Sequence, residues 1–397
     1  MSFFKSIEMP PEDPILHLSV MFAGDNRSQK VNLGVGAYKN TEGKPQVLSC
    51  VRQAEAIILE KHLNKEYLPI QGNSDYISAS LKLVFGENSP ELASGRIFGA
   101  QTLGGTGALR VGGELLAKNQ VSETIFLSDP TWPNHKPIFA RAGMKLDTYP
   151  YYDERHRSLN YSGMCESIKR MPAGSTIILQ PCCQNPTGLD PSMEQWKEIS
   201  QLVRQKQLIP FFDFAYQGFD QGVEQDAQVV RYFVQEGHEM LVASSFSKNF
   251  GLYGERVGML SVVCADIDTT ARVGGQIKQV IRGNYSMPPL QGQRIVTTIL
   301  QSPELKKEWE HELANMRDRI KEMRSTLLSG LMAKGASEFE FLGKQTGMFS
   351  YSGLNPDQVH RLQSEHGIYM PGSGRINVAG LNSQNMDYVI NSMLAVL

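Results

Sequence analysis

Between Arg96 and Phe246 the chain alternates short apolar runs with longer amphipathic ones, and this alternation limits the fold more than any other feature. Strands are expected at about 96–102, 123–128, 145–149, 175–180, 208–213 and 241–246, with helices starting near 106, 133, 159, 192 and 226. Repeated strand–helix units cover their apolar faces as a mainly parallel sheet with helices on both sides, so the fold class is α/β. Ligands bind such sheets beyond the carboxyl ends of the strands. Chemistry is therefore sought just past each apolar run.

The flanks divide the chain further. Residues 1–13 carry too little apolar content to pack alone and read as an extended arm. Asp13 is expected to cap a helix with Pro14 at its first position and Ile15, Leu16, Leu18 and Phe22 as its apolar stripe. Helices are expected near 47–63 and from Asn73 to about Phe85, where Gly86 ends the second. After Pro303 a long helix runs to about Lys334. The simplest division is an arm (1–13), a small domain from both chain ends (14–46 with 311–397) and a large ligand-binding domain (47–310).

One stretch past the last strand, Ser244-Ser245-Phe246-Ser247-Lys248-Asn249, continues through Gly254-Glu255-Arg256. A lysine at a buried strand end is costly unless something uses it. Partial burial and a second cation disfavour the ammonium form and make the amine a nucleophile, suited to forming a Schiff base. Ser245, Ser247 and Arg256 are groups that bind a phosphate. Taken alone, Ser-x-Lys is an ordinary surface loop.

Other strand ends carry matching groups. Gly104-Gly105-Thr106-Gly107 opens a helix, where glycines and free N–H donors admit an anion. It lacks the third glycine of a dinucleotide fingerprint, since Arg110 stands there, so a Rossmann-type dehydrogenase has no support. Asp213, ending Ile209-Pro210-Phe211-Phe212, needs a cation such as a protonated ring nitrogen, or else serves as a turn former. Tyr216 is placed to donate to the same ligand. Asn185-Pro186-Thr187-Gly188 is either a plain turn or a means of fixing the Asn185 amide. Trp132 is either core or a stacking plate.

Composition removes other classes. With 39 Lys+Arg against 41 Asp+Glu and a formal net charge of −2, no nucleic-acid or anionic-membrane surface is expected. Five cysteines, Cys182 and Cys183 adjacent, make neither a disulfide framework nor, with histidine, a metal site. No run reaches the length of a signal peptide or a membrane span, and a cytoplasmic location is expected.

Asn185-Pro186-Thr187-Gly188, Asp213-Phe214-Ala215-Tyr216-Gln217-Gly218, Ser245-Phe246-Ser247-Lys248 and Gly374-Arg375, in this order, make the sequence resemble the aspartate/aromatic aminotransferases, class I members of the fold-type-I pyridoxal-phosphate enzymes. The resemblance covers nearly the whole chain. It implies pyridoxal 5′-phosphate as cofactor, with Lys248 as Schiff-base lysine and proton shuttle and Asp213 on the pyridinium nitrogen. Asn185 and Tyr216 would hold the phenolic oxygen, Trp132 would stack on the ring, and His135 would lie behind that stack. Gly105, Thr106, Ser245, Ser247 and Arg256 would bind phosphate, joined by Tyr67 of a second subunit. Arg375 would clamp the substrate α-carboxylate beside Asn185 and the Gly36 backbone. Arg282 of the partner subunit would meet a side-chain carboxylate.

The implied activity is amino transfer between amino acids and 2-oxo acids, L-aspartate and 2-oxoglutarate giving oxaloacetate and L-glutamate, in a homodimer with shared sites. An aromatic or broad-specificity aminotransferase is the alternative on the same site, and a non-catalytic cofactor-binding regulator is the alternative of another class. Gln180 and Gln184 stand where the family commonly has histidines, and Met287 stands where Asn or Ser is usual. These departures bear on the support of Asn185 and of Arg282.

Overall fold

The computed structural model describes residues 2–10 and 14–397. A seven-stranded sheet is formed by β1 (Ile97–Leu103), β2 (Thr124–Asp129), β3 (Lys145–Pro150), β4 (Thr176–Leu179), β5 (Ile209–Phe214), β6 (Met240–Ser245) and β7 (Val257–Val263). Their order across the sheet is β1-β7-β6-β5-β4-β2-β3. Four neighbouring pairs are parallel, and β7 is antiparallel to both β6 and β1. Six of these strands match the expected runs to within two residues.

The seventh, β7, was not expected. All of Val257–Val263 is buried, so it shows no polar alternation, and it returns from β6 through a loop, residues 246–256, instead of a helix. The strand–helix rhythm therefore steps over it. Two further helices, Ile267–Asn284 and Gln291–Gln301, were not expected either. The long helix is present as Pro303–Ala333, capped by the Ser302 hydroxyl with Pro303 in its first turn.

Strand geometry explains the core. Successive side chains point to opposite faces, so Phe212 and Phe214 join one apolar cluster while Phe211, with Leu241 and Ala243, joins the other. Each fully buried phenylalanine contributes on the order of 2–3 kcal/mol. Asp213 falls on the face of Phe211, where Phe139 packs at 5.9 Å between ring centroids. A carboxylate in that position lies among rings and needs a specific partner.

Elements from both chain ends pack together. Val31–Asn32 pairs in parallel with Ile368–Tyr369, and Phe349–Tyr351 pairs antiparallel with Arg375–Asn377. These short pairings bring Gly34 and Arg375 to the cavity described below. The described part of the arm, residues 2–10, is exposed, with Phe3 and Met9 at 91% and 93%. The expected Asp13 cap lies outside the described residues, whereas Asn73 caps its helix by accepting from Asp75 and Tyr76 N–H groups.

Candidate active site

Register assembles the site. Val257 of β7 pairs with Leu103 of β1, and Gly258 pairs with Ser245 of β6. Three chain segments thus reach one edge of the sheet side by side: residues 104–106 opening a helix, Ser247 and Lys248 leaving β6, and Arg256 entering β7. Gly104 has φ +67°, and a Cβ there would come 2.7 Å from an Arg256 guanidinium nitrogen. Only glycine allows the arginine so close to the helix start.

A cavity of ≈ 160 Å³ opens at this edge. Gly105, Thr106, Ser245, Ser247 and Arg256 line it together with Lys248, and Trp132, Asn185, Asp213 and Tyr216 line the remainder. The free N–H groups of the helix Gly104–Lys118 begin here. Arg256 donates to the carbonyls of Tyr253 and Leu103 at 3.0 and 3.4 Å.

The Lys248 amine has no hydrogen bond or ion pair among the described residues, and its Nζ lies 5.3 Å from the Tyr216 ring centroid. Burial, helped by the charges of Arg256 and Arg375, pushes its pKa down to about 8 against the pull of Asp213. The amine is therefore available as a nucleophile near neutral pH. Burial raises the Tyr216 phenol, which stays protonated and able to donate.

Asp213 is fixed by a relay the sequence did not reveal. Its Oδ2 accepts from His135 Nε2 at 2.9 Å, and His135 Nδ1 lies 2.7 Å from the Thr131 hydroxyl. A carboxylate only accepts, so Nε2 is the donor toward Asp213 and Nδ1 faces the threonine hydroxyl. His135 also meets Trp132 edge to face, centroids 5.3 Å apart. The available signal was a histidine three residues after Trp132 in an apolar segment, and nothing in the sequence tied it to Asp213.

Arg375 is buried, and burial holds its guanidinium below the usual range. It donates to Asn185 Oδ1 at 3.3 Å and to the Gly34 carbonyl at 2.6 Å, and its guanidinium lies 4.3 Å from the Phe349 ring centroid. Gly36 sits beside the same ring: a Cβ there would be 3.0 Å from Phe349 Cζ. Phe349 was not among the expected site residues. Its position in Met348-Phe349-Ser350 carries no local signal beyond a core strand.

Two expected residues are not brought to this cavity within one chain. Tyr67 is 86% exposed, and Arg282 is exposed at the end of Ile267–Asn284, where it donates to the Ser286 hydroxyl. Met287 supports that region through its sulfur, which accepts from the Leu68 N–H at 3.1 Å. Gln184 is structural: its Nε2 donates to the Pro130 carbonyl at 3.0 Å, and its Oε1 accepts from the Thr187 N–H at 3.0 Å and hydroxyl at 2.6 Å.

The charges are out of balance. Lys248, Arg256 and Arg375 are without a carboxylate ion pair among the described residues, and Asp213 has only a histidine. The cavity is built for a ligand bearing an anionic group at a helix N-terminus and a cationic group at Asp213. No helix among the described residues is long and apolar enough to cross a membrane, and no cluster of His, Cys, Asp and Glu there has metal-binding geometry.

A mainly parallel sheet with a buried lysine in a charge-lined cavity at its strand ends is the arrangement of an aminotransferase-type α/β enzyme. The family model for "Aminotransferase class I and II" matches residues 28–393, and the chain belongs to that family. It is 47% identical over 398 residues to the aspartate aminotransferase of Pseudomonas aeruginosa, covering 100% of both chains. It is 45% identical to that of Escherichia coli, covering 99% of this chain and 100% of the relative. Among solved structures, the aromatic-amino-acid aminotransferase of Burkholderia pseudomallei, covalently bound to pyridoxal phosphate, superposes with a TM-score of 0.98 at 46% identity and 100% coverage of both.

Proposed function

We propose that this aminotransferase uses pyridoxal 5′-phosphate to exchange the amino group between L-aspartate and 2-oxoglutarate, giving oxaloacetate and L-glutamate. The observation that carries the reading is the unbalanced site: two cations and one carboxylate lining the cavity, Arg375 joined to it through Asn185, and an open helix N-terminus fit a phosphate, a protonated ring nitrogen and a substrate carboxylate. Bound there, the cofactor would supply an electron-withdrawing ring that eases loss of the substrate α-proton. Gly105, Thr106, Ser245, Ser247 and Arg256 would hold its phosphate, Asp213 its ring nitrogen, Asn185 and Tyr216 its phenolic oxygen, and Trp132 its face. Lys248 would hold it covalently and, once the substrate amine has replaced it there and left its own amine free, would take the proton from the substrate Cα. Arg375, beside Asn185 and the Gly36 backbone, would grip the α-carboxylate.

The exposed residues find their use in a second copy. Tyr67 would reach the phosphate, and Arg282 the side-chain carboxylate, in the partner's cavity, which makes the working form a homodimer. The chain would act in the cytoplasm, with residues 14–46 and 311–397 forming a small domain beside the cofactor domain 47–310 and residues 1–13 as an arm. The helix Pro303–Ala333 would join the two domains.

A second reading keeps the site and changes the substrate. The similarity to an aromatic-amino-acid enzyme, 46%, equals that to the aspartate enzymes within two percentage points. Comparing kcat/KM for aspartate and phenylalanine separates them, and the aspartate reading expects the higher value for aspartate. The wider test is the absorbance of the purified, cofactor-loaded protein. A visible band is expected that is lost on adding aspartate, and Lys248→Ala is expected to lose turnover by about 10⁴-fold or more, as removal of a covalent proton-transfer group does. A protein without that band, or a fully active Lys248→Ala variant, would overturn the proposal.

A further inference from the structure

Gln180 follows β4 directly and lines the cavity, buried like its neighbours. Both ends of its amide bond to one residue. Oε1 accepts from the Asn185 N–H at 3.0 Å, and Nε2 donates to the Asn185 carbonyl at 3.4 Å. An amide bonded to both backbone groups of one residue fixes where that residue sits and how its peptide is turned. Asn185 then presents Oδ1 to Arg375 at 3.3 Å, across 190 positions of sequence.

The other two holds on Arg375, the Gly34 carbonyl and the Phe349 ring, come from the segments near the chain ends. Asn185 is thus the contact that ties Arg375 to the large sheet. Arg375 Nε is buried and without a hydrogen-bond partner among the described residues, so the guanidinium keeps one N–H unspent.

We infer that Gln180 is a positioning residue which, through Asn185, aims Arg375 at the substrate α-carboxylate. The inference rests on the function proposed above. Holding the loop together is not its main task, because that loop is pinned elsewhere. Asp190 accepts from the Cys183 and Gln184 N–H groups at 2.6 and 2.9 Å, and Gln184 ties it to Pro130 and Thr187. What Gln180 alone fixes is Asn185. As a neutral amide it does so without adding charge to a cavity where burial, with the nearby charges, sets the Lys248 amine.

The test compares Gln180→Met, which keeps volume and removes both hydrogen bonds, with the wild type in cofactor-loaded protein, using maleate as an unreactive dicarboxylate probe. The expected result is an unchanged cofactor content, a rise of about tenfold in the maleate Kd and the aspartate KM, and a kcat lowered less than threefold. In an Asn185→Ala background the same change is expected to add less than twofold, because both act through one contact. A maleate Kd within twofold of wild type in a loaded protein, or effects that multiply with Asn185→Ala, would overturn the inference. Should Gln180→Met not fold, Gln180→Asn decides by the same maleate thresholds, since its shorter amide cannot span both backbone groups. Failure of the wild type to load cofactor or turn over aspartate would instead defeat the function reading.

Discussion

Arg375 and Arg282, the two arginines proposed to grip a dicarboxylate, stand in opposite physical circumstances. Arg375 is buried, held at three points from separate parts of the chain, and has one buried N–H to spare. Arg282 is exposed at a helix end and rests on Ser286, four residues away. The cost of burying the first is met when the chain folds, whereas the second is desolvated only when a second copy and a substrate cover it. The first arginine therefore recognises what all amino acids share, and the second recognises what only some of them carry.

This contrast can be broken by experiment. Arg375→Ala is expected to lower kcat/KM by about 10³-fold for aspartate and phenylalanine alike, the upper end for loss of a buried charge-assisted pair. A loss confined to aspartate would reverse the assignment. Arg282→Ala is expected to cost about 100-fold with aspartate and less than about threefold with phenylalanine. Equal losses for both substrates would show that it serves the fold and not recognition.

The smallest effect sharpens the role of the cations around Lys248. In cofactor-free protein, modification of Lys248 by a carbonyl reagent with borohydride is expected to rise with pH about a midpoint near 8, well below ordinary lysines. The sign carries over to stability. Between about 8 and the usual 10.5 the unfolded chain holds more protons at this position than the folded one, so the stability of the cofactor-free protein rises with pH across that window. Lys248→Met should be more stable than wild type below pH 8 and lose that advantage as pH approaches 10.5. A stability difference that does not vary with pH would mean that Lys248 is not desolvated.

Much of this is legible in the amino-acid sequence alone. The strands reaching Asp213 and Ser245 declare themselves by apolar runs of strand length, and Asn73 and Pro303 mark helix starts by the chemistry of their side chains. Lys248 and Asp213 stand out because charged groups at buried strand ends need a reason, whereas Asn185 reads equally as a turn and Arg375 is picked out only by the resemblance. Contacts between distant segments are not legible. His135 on Asp213, Phe349 under Arg375 and Gln180 around Asn185 depend on register and packing, which local sequence does not encode. β7 is hidden for a related reason, since a fully buried strand returning through an irregular loop has neither the period of an exposed strand nor the helix that precedes a parallel one.

The return of the chain at β7 also sets a rule for changes of length. Lys248 leaves β6 and Arg256 enters β7 eight positions later, and β7 is hydrogen-bonded on both edges and buried on both faces. One residue added or removed between Asn249 and Glu255 would either be absorbed in the turn, moving the arginine off the helix start, or slip β7 and exchange its two faces. Both outcomes separate amine from guanidinium, so the spacing of this hairpin behaves as a ruler whose length is part of the chemistry.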